Sequence, residues 1–175
     1  MKLIIAELGF KNIHILESQA APDGDFPTIE SPNPEEADAL DLALQKAQEI
    51  DADMVIGCDP DSDRVGIAVR DNKNELILLN GNQTAAVLFD YVLNQKRITK
   101  SLPKNGFVAS TVVTSNLLEN IAKSYSIPAY QTLTGFKWIA ELIKKLEGEK
   151  EFIIGSEHKQ IHILGLSHII MEIKL

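Results

Sequence analysis

The residues whose types and spacing suggest chemistry lie together in Cys58-Asp59-Pro60-Asp61-Ser62-Asp63-Arg64. Asp59, Asp61 and Asp63 set three carboxylates at i, i+2 and i+4, directly after the apolar run Asp53-Met54-Val55-Ile56-Gly57. Three negative charges in so short a segment repel one another unless something neutralises them. A loop that curls can aim all three at one hard cation, and oxygen-only ligation favours Mg²⁺, Mn²⁺ or Ca²⁺ over zinc or copper. Arg64 is fit to hold an anion, such as a phosphate, beside that cation. The same residues also suit an exposed acidic turn, in which Asp, Pro and Ser are ordinary. Spacing alone leaves the metal site and the turn both open. An EF-hand loop beginning at Asp59 is excluded, because its sixth position would be Arg64 instead of Gly and its twelfth Arg70 instead of Glu.

Composition narrows the setting. The 175 residues carry 17 basic and 25 acidic side chains, a net charge of −8, which argues against a nucleic-acid or anionic-membrane surface. The acidity is uneven. Residues 1–100 hold 18 acids against 9 bases, whereas residues 101–175 hold 7 against 8. Such a split predicts two units, divided near residue 100. The single Cys58 excludes an internal disulfide and a multi-cysteine zinc site, and suits a cytoplasmic location. No apolar run approaches the length of a membrane span.

The elements that position the acidic loop follow from periodicity. Residues 12–17 alternate and predict a strand. Residues 18–34 hold four of the seven prolines and predict a loop. Asn33, Pro34 and Glu36 predict a helix start with Asn33 as its cap, and Leu40, Ala43, Leu44, Ala47 and Ile50 then recur at helical spacing. Residues 53–57 read as a buried strand. Residues 65–69 and 76–79 read as strands around a turn at Asp71-Asn72-Lys73-Asn74. A helix is predicted over 82–95 and a linker over 96–106. The second unit repeats the theme, with strands at 107–113, 129–132 and 151–154 and helices at 116–125 and 136–146. The fold class is therefore α/β, in two layered α/β/α units with mixed, mainly parallel sheets, whose ligands gather beyond the carboxyl ends of the strands.

Two families place aspartates after a buried strand. Haloacid-dehalogenase-type phosphatases use an Asp-x-Asp pair with a nucleophilic first Asp, here Asp59, but expect Thr or Val where Asp63 stands. The second match is closer: DPDSDRVGIAVRD, at 59–71, resembles the metal-binding loop of the α-D-phosphohexomutases, the phosphoglucomutase/phosphomannomutase family. GFKNIH (9–14), PDGDFPTIESPNPEE (22–36), DADMVIGCDPDSDRVGIAVRD (51–71), ELILLNGNQTAAVLFDYVL (75–93) and LTGFKWIAELI (133–143) stand in the order and spacing of that family. The resemblance covers about residues 1–157.

The resemblance implies part of the family's second domain over 1–100, the beginning of its third over 101–157, and a divergent tail over 158–175. It implies Asp59, Asp61 and Asp63 as Mg²⁺ ligands. Arg64 is implied as a catalytic residue at the phosphoserine or the transferring phosphate, and Lys137 and Glu157 as substrate contacts, with a hexose phosphate as the substrate of the parent enzyme. Lys159 stands where the family's sugar-recognition loop has serine. The chain contains no Ser-His-Asn phosphoserine loop, since His14 is the one histidine before His158, and no Arg-rich phosphate-binding domain. It is thus expected to be a fragment of a hexose-phosphate isomerase, inactive alone and prone to self-association through exposed sheet edges. The alternatives are a non-catalytic module binding Mg²⁺ or a phosphosugar and, behind it, the phosphatase.

Overall fold

A computed structural model describes residues 9–21, 23–34, 36–60, 64–157 and 160–162. Its elements run α1 (Ala37–Glu49), β1 (Met54–Cys58), β2 (Val65–Arg70), β3 (Leu76–Leu79), α2 (Gly81–Ile98), β4 (Gly106–Thr111), α3 (Leu117–Ser124), β5 (Ala129–Thr132), α4 (Phe136–Lys145), β6 (Glu151–Glu157) and β7 (Gln160–His162). They form two sheets, ordered β1-β2-β3 and β5-β4-β6-β7.

The first sheet is antiparallel, with Gly57 opposite Gly66 and Cys58 opposite Val65. Its connections, residues 59–64 and 71–75, are too short for the helical crossover that parallel neighbours need. Parallel pairing is confined to the second sheet, where β4 lies between β5 and β6, and β7 adds an antiparallel edge. The predicted turn at 71–74 forms. The Asp71 carboxylate accepts from Lys73 N at 2.8 Å and Glu75 N at 3.0 Å, and Asn74 takes φ 65°, as aspartate and asparagine do in tight turns.

Helix α1 lays its apolar stripe on the first sheet. Ala47, Val55 and Ala68 form a small core, with Ala43, Leu44, Leu76 and Leu78 packed around it. Arg70 ties the far end of this layer together. Its guanidinium donates to Ala52 O (2.8 Å), Ala47 O (3.3 Å) and Asn74 O (2.9 Å). The second core is larger. Ala85, Phe89, Val92 and Leu93 from α2 pack with Val108, Leu118, Ala122, Ile127, Ile153 and Ile154. On the sheet, Phe107 meets Tyr130 and Phe152 edge-on, with ring centroids 5.6 and 5.5 Å apart.

These cores bear on three expectations. Helix α2 packs on the second sheet, which favours a division of the two units before residue 81 over one near residue 100. The charge split followed the surface, whereas the division follows the buried face of α2. The linker predicted from residue 96 begins later. Helix α2 runs to Ile98, Arg97 lies 4.9 Å from the Tyr125 ring centroid, and the Thr99 hydroxyl closes the helix on Gln95 O at 2.8 Å. The strand expected over 12–17 is absent. Residues 11–16 are irregular and lead into a 3₁₀ turn at Glu17–Gln19, because alternation makes a strand only where a neighbouring backbone pairs with it.

Candidate functional site

The acidic loop joins β1 to β2 at the end of the first sheet. Asp59 follows the last residue of β1 and is 3% exposed, and Arg64 directly precedes β2. A buried carboxylate requires a partner, and Arg64 supplies one twice: its backbone N–H donates to Asp59 Oδ1 at 3.0 Å and its Nε–H to Oδ2 at 2.7 Å. The Asp59 side chain is fully buried in this pair, and the Arg64 side chain is 31% exposed. A charge-assisted contact of this kind fixes the direction of both groups. Next to it, burial pushes the Cys58 thiol pKa up, with the Asp59 charge adding to the rise.

Asp61 and Asp63 lie outside the described residues, and among the described residues no group of three ligating side chains comes together. The donor chemistry still suits a hard divalent cation. Asp59 brings a carboxylate that is desolvated and directed by the fold, and no soft or nitrogen donor stands in 59–64.

The other two site residues sit on the second sheet. Gly135 takes φ 122° at the junction between β5 and α4, a conformation open to glycine. Lys137 follows in the first turn of α4, exposed, with its ammonium 5.1 Å from the Trp138 ring centroid. Glu157 closes β6, half-buried. Lys137 and Glu157 therefore share the carboxyl edge of one parallel sheet, where α/β folds collect ligands. Asp59 and Arg64 belong to the other sheet.

Sequence reasoning missed part of what surrounds these residues. Asn33 does not cap α1, whose N-cap is Glu36. Instead it is 7% exposed, donates from Nδ2 to Glu36 Oε1 at 2.8 Å, and accepts from Glu36 N at 3.0 Å through its carbonyl. At the carboxyl end of β4, buried Thr111 and Thr114 share a 2.9 Å hydroxyl contact, and Asn82 Oδ1 accepts from Ser115 N at 3.0 Å. The residue before Pro34 carried a hint, since Pro can open a helix only if its predecessor caps it or turns into it.

Two units, each with helix packed on sheet, define the class as a layered α/β protein. Comparison with known proteins is more specific. The family model described as phosphoglucomutase/phosphomannomutase, alpha/beta/alpha domain II, matches residues 1–73, and that for domain III matches residues 80–171. The chain is 39% identical over 154 residues to a phosphoglucomutase of Staphylococcus epidermidis, covering 88% of this chain and 28% of that protein. It is 39% identical over 150 residues to a phosphomannomutase of Mycoplasmoides pirum, covering 86% and 27%. A solved phosphoglucomutase/phosphomannomutase family protein of Burkholderia thailandensis superposes with a TM-score of 0.63 at 16% identity, over 81% of this chain and 28% of that one. The chain belongs to the phosphoglucomutase/phosphomannomutase family. It spans a little over a quarter of the length of these relatives. The break between the two family models, at 74–79, agrees with the packing of α2, and the domain III match continues past Glu157, after which divergence was expected.

Proposed function

We propose that this chain is a piece of a hexose-phosphate mutase that supplies the metal loop and part of the sugar-binding surface. The observation that carries the reading is the buried Asp59 carboxylate, held by Arg64 at the end of β1. Asp59, Asp61 and Asp63 would hold Mg²⁺. The ion supplies charge neutralisation at a transferring phosphoryl group, since phosphoryl transfer is mostly positioning and electrostatics. Arg64 orients Asp59 and presents its exposed edge to phosphate. Lys137 pairs with a substrate oxyanion, and Glu157 accepts from sugar hydroxyls. The 175 residues contain no phosphoserine loop, so the chain alone does not turn over glucose 1-phosphate.

The phosphatase alternative needs Asp59 as a free nucleophile. It also expects Thr or Val where Asp63 stands, so the spacing works against it. The test is Mg²⁺ titration of the chain and of Asp61→Asn, alongside assay of glucose 1-phosphate conversion. The proposal expects binding that Asp61→Asn removes, and no conversion. Binding unaffected by Asp61→Asn, or turnover by the pure chain, would overturn it.

A further inference from the structure

Directly below the acidic loop, the hairpin carries two glycines opposite each other, Gly57 and Gly66. The space where a Gly66 side chain would stand is occupied by Pro34, and the space at Gly57 by the end of the Leu40 side chain. A Cβ on Gly66 would collide with the Pro34 carbonyl, lying 2.7 Å from its carbon and 3.1 Å from the Pro34 Cβ. A Cβ on Gly57 would meet the Leu40 side chain first and lie in ordinary contact, 3.7 Å, with the same Pro34 Cβ. At Gly66 backbone therefore rests on backbone, one residue pair before Cys58 and Val65 and two before Asp59 and Arg64. Such close approach is a position where only glycine fits without displacement.

Pro34 is itself held. It sits in the turn that Asn33 and Glu36 close by two hydrogen bonds, Asn33 Nδ2 to Glu36 Oε1 at 2.8 Å and Glu36 N to Asn33 O at 3.0 Å. Asn33 and Pro34 are buried, whereas Glu36 is exposed. A buried amide in a turn serves as a structural tie, since a buried donor left unsatisfied is costly. The turn connects on its other side to α1, whose Leu40 also meets Gly57.

We infer that the Asn33–Glu36 turn is a buttress that sets the position of the Asp59–Arg64 pair, with Asn33 as a positioning residue acting through Pro34, Gly57 and Gly66. Its consequence for metal affinity rests on the reading of Asp59 as a ligand. Residues that orient ligands from behind typically alter affinity about 10–100-fold when removed.

Two readouts separate the buttress from the metal reading. The first needs no metal: the Arg64 Nε–H signal in ¹⁵N NMR, which pairing with the Asp59 carboxylate protects from exchange. The second is Mn²⁺ affinity, measured from free Mn²⁺ by electron paramagnetic resonance. Asn33→Ala should lose the protected Arg64 signal and weaken Mn²⁺ about tenfold or more. Glu36→Gln, which keeps the acceptor oxygen, should preserve both. Glu36→Ala, an exposed and milder change, should move both in the direction of Asn33→Ala and serves if that variant does not fold. An unchanged Arg64 signal in folded Asn33→Ala or in Glu36→Ala overturns the buttress. Absence of Mn²⁺ binding in the unmodified chain overturns the metal reading, while loss of the Arg64 signal in the variants would still support the buttress.

Discussion

Replacing Phe89 with alanine tests where one unit ends and the other begins. Phe89 is fully buried in α2 among Val108, Leu118, Ile153 and Ile154. Truncation removes a complete aromatic ring from a packed core and should cost about 3–5 kcal/mol. With a urea dependence of about 2 kcal/mol per molar for a unit of this size, the unfolding midpoint should fall by roughly 1.5–2.5 M. The chain has one tryptophan, Trp138, and it stands in α4 on the second sheet, so its fluorescence reports that unit alone. The control is Leu40→Ala, a truncation of a buried α1 residue in the first unit. Phe89→Ala should lower the Trp138 midpoint, and Leu40→Ala should leave it in place while lowering the far-ultraviolet signal of the first unit. If the Trp138 midpoint ignored Phe89→Ala, or followed Leu40→Ala instead, α2 would belong to the first unit and the division before residue 81 would be refuted.

Asn80→Ala removes the capping box at the start of α2, in which Asn80 Oδ1 accepts from Gln83 N at 3.0 Å and Gln83 Oε1 accepts from Asn80 N at 2.9 Å. It should destabilise the second unit by about 1 kcal/mol, read as a fall of roughly 4–8 °C in its melting temperature. Tyr125 donates to Asp90 Oδ1 at 2.7 Å between α3 and α2, and that bond is the main cause of a phenol pKa above its ordinary 10.0. A raised pKa means that the contribution is complete below pH 10 and disappears as pH rises through the higher folded value. Tyr125→Phe should therefore lower stability at pH 8 and lessen the further loss between pH 10 and 12, as followed by thermal melts.

The sequence made the helices legible where a buried stripe was continuous. The spacing of Leu40, Ala43, Leu44 and Ala47 predicts α1, and the β-branched run from Phe107 predicts β4, buried along its whole length. Strand direction was not legible, because periodicity describes which face is buried and not which neighbour pairs. The connections at 59–64 and 71–75 decide the antiparallel first sheet through their length. Asn33 misled because Asn before Pro reads equally as a cap or as a turn, and only burial distinguishes them. The charge split points to residue 100 because charge records the solvent side of α2, while Phe89 and Leu93 record its core side. In the site, the Asp and Arg types were visible from spacing. The geometry of the pair was not, since a carboxylate that binds an arginine and one that binds a cation look alike in a sequence.

The loop after β1 either holds a divalent cation or it does not, and paramagnetic broadening distinguishes the two. Sub-stoichiometric Mn²⁺ added to ¹⁵N-labelled chain broadens the amides nearest the bound ion first. With a cation held there, amides in 58–65 vanish before any others, Mg²⁺ restores them by competition, and Asp59→Asn prevents the effect. Broadening that begins at the acidic start of α1, around Glu36, Asp38 and Asp41, or that Mg²⁺ fails to reverse, would contradict a cation in that loop.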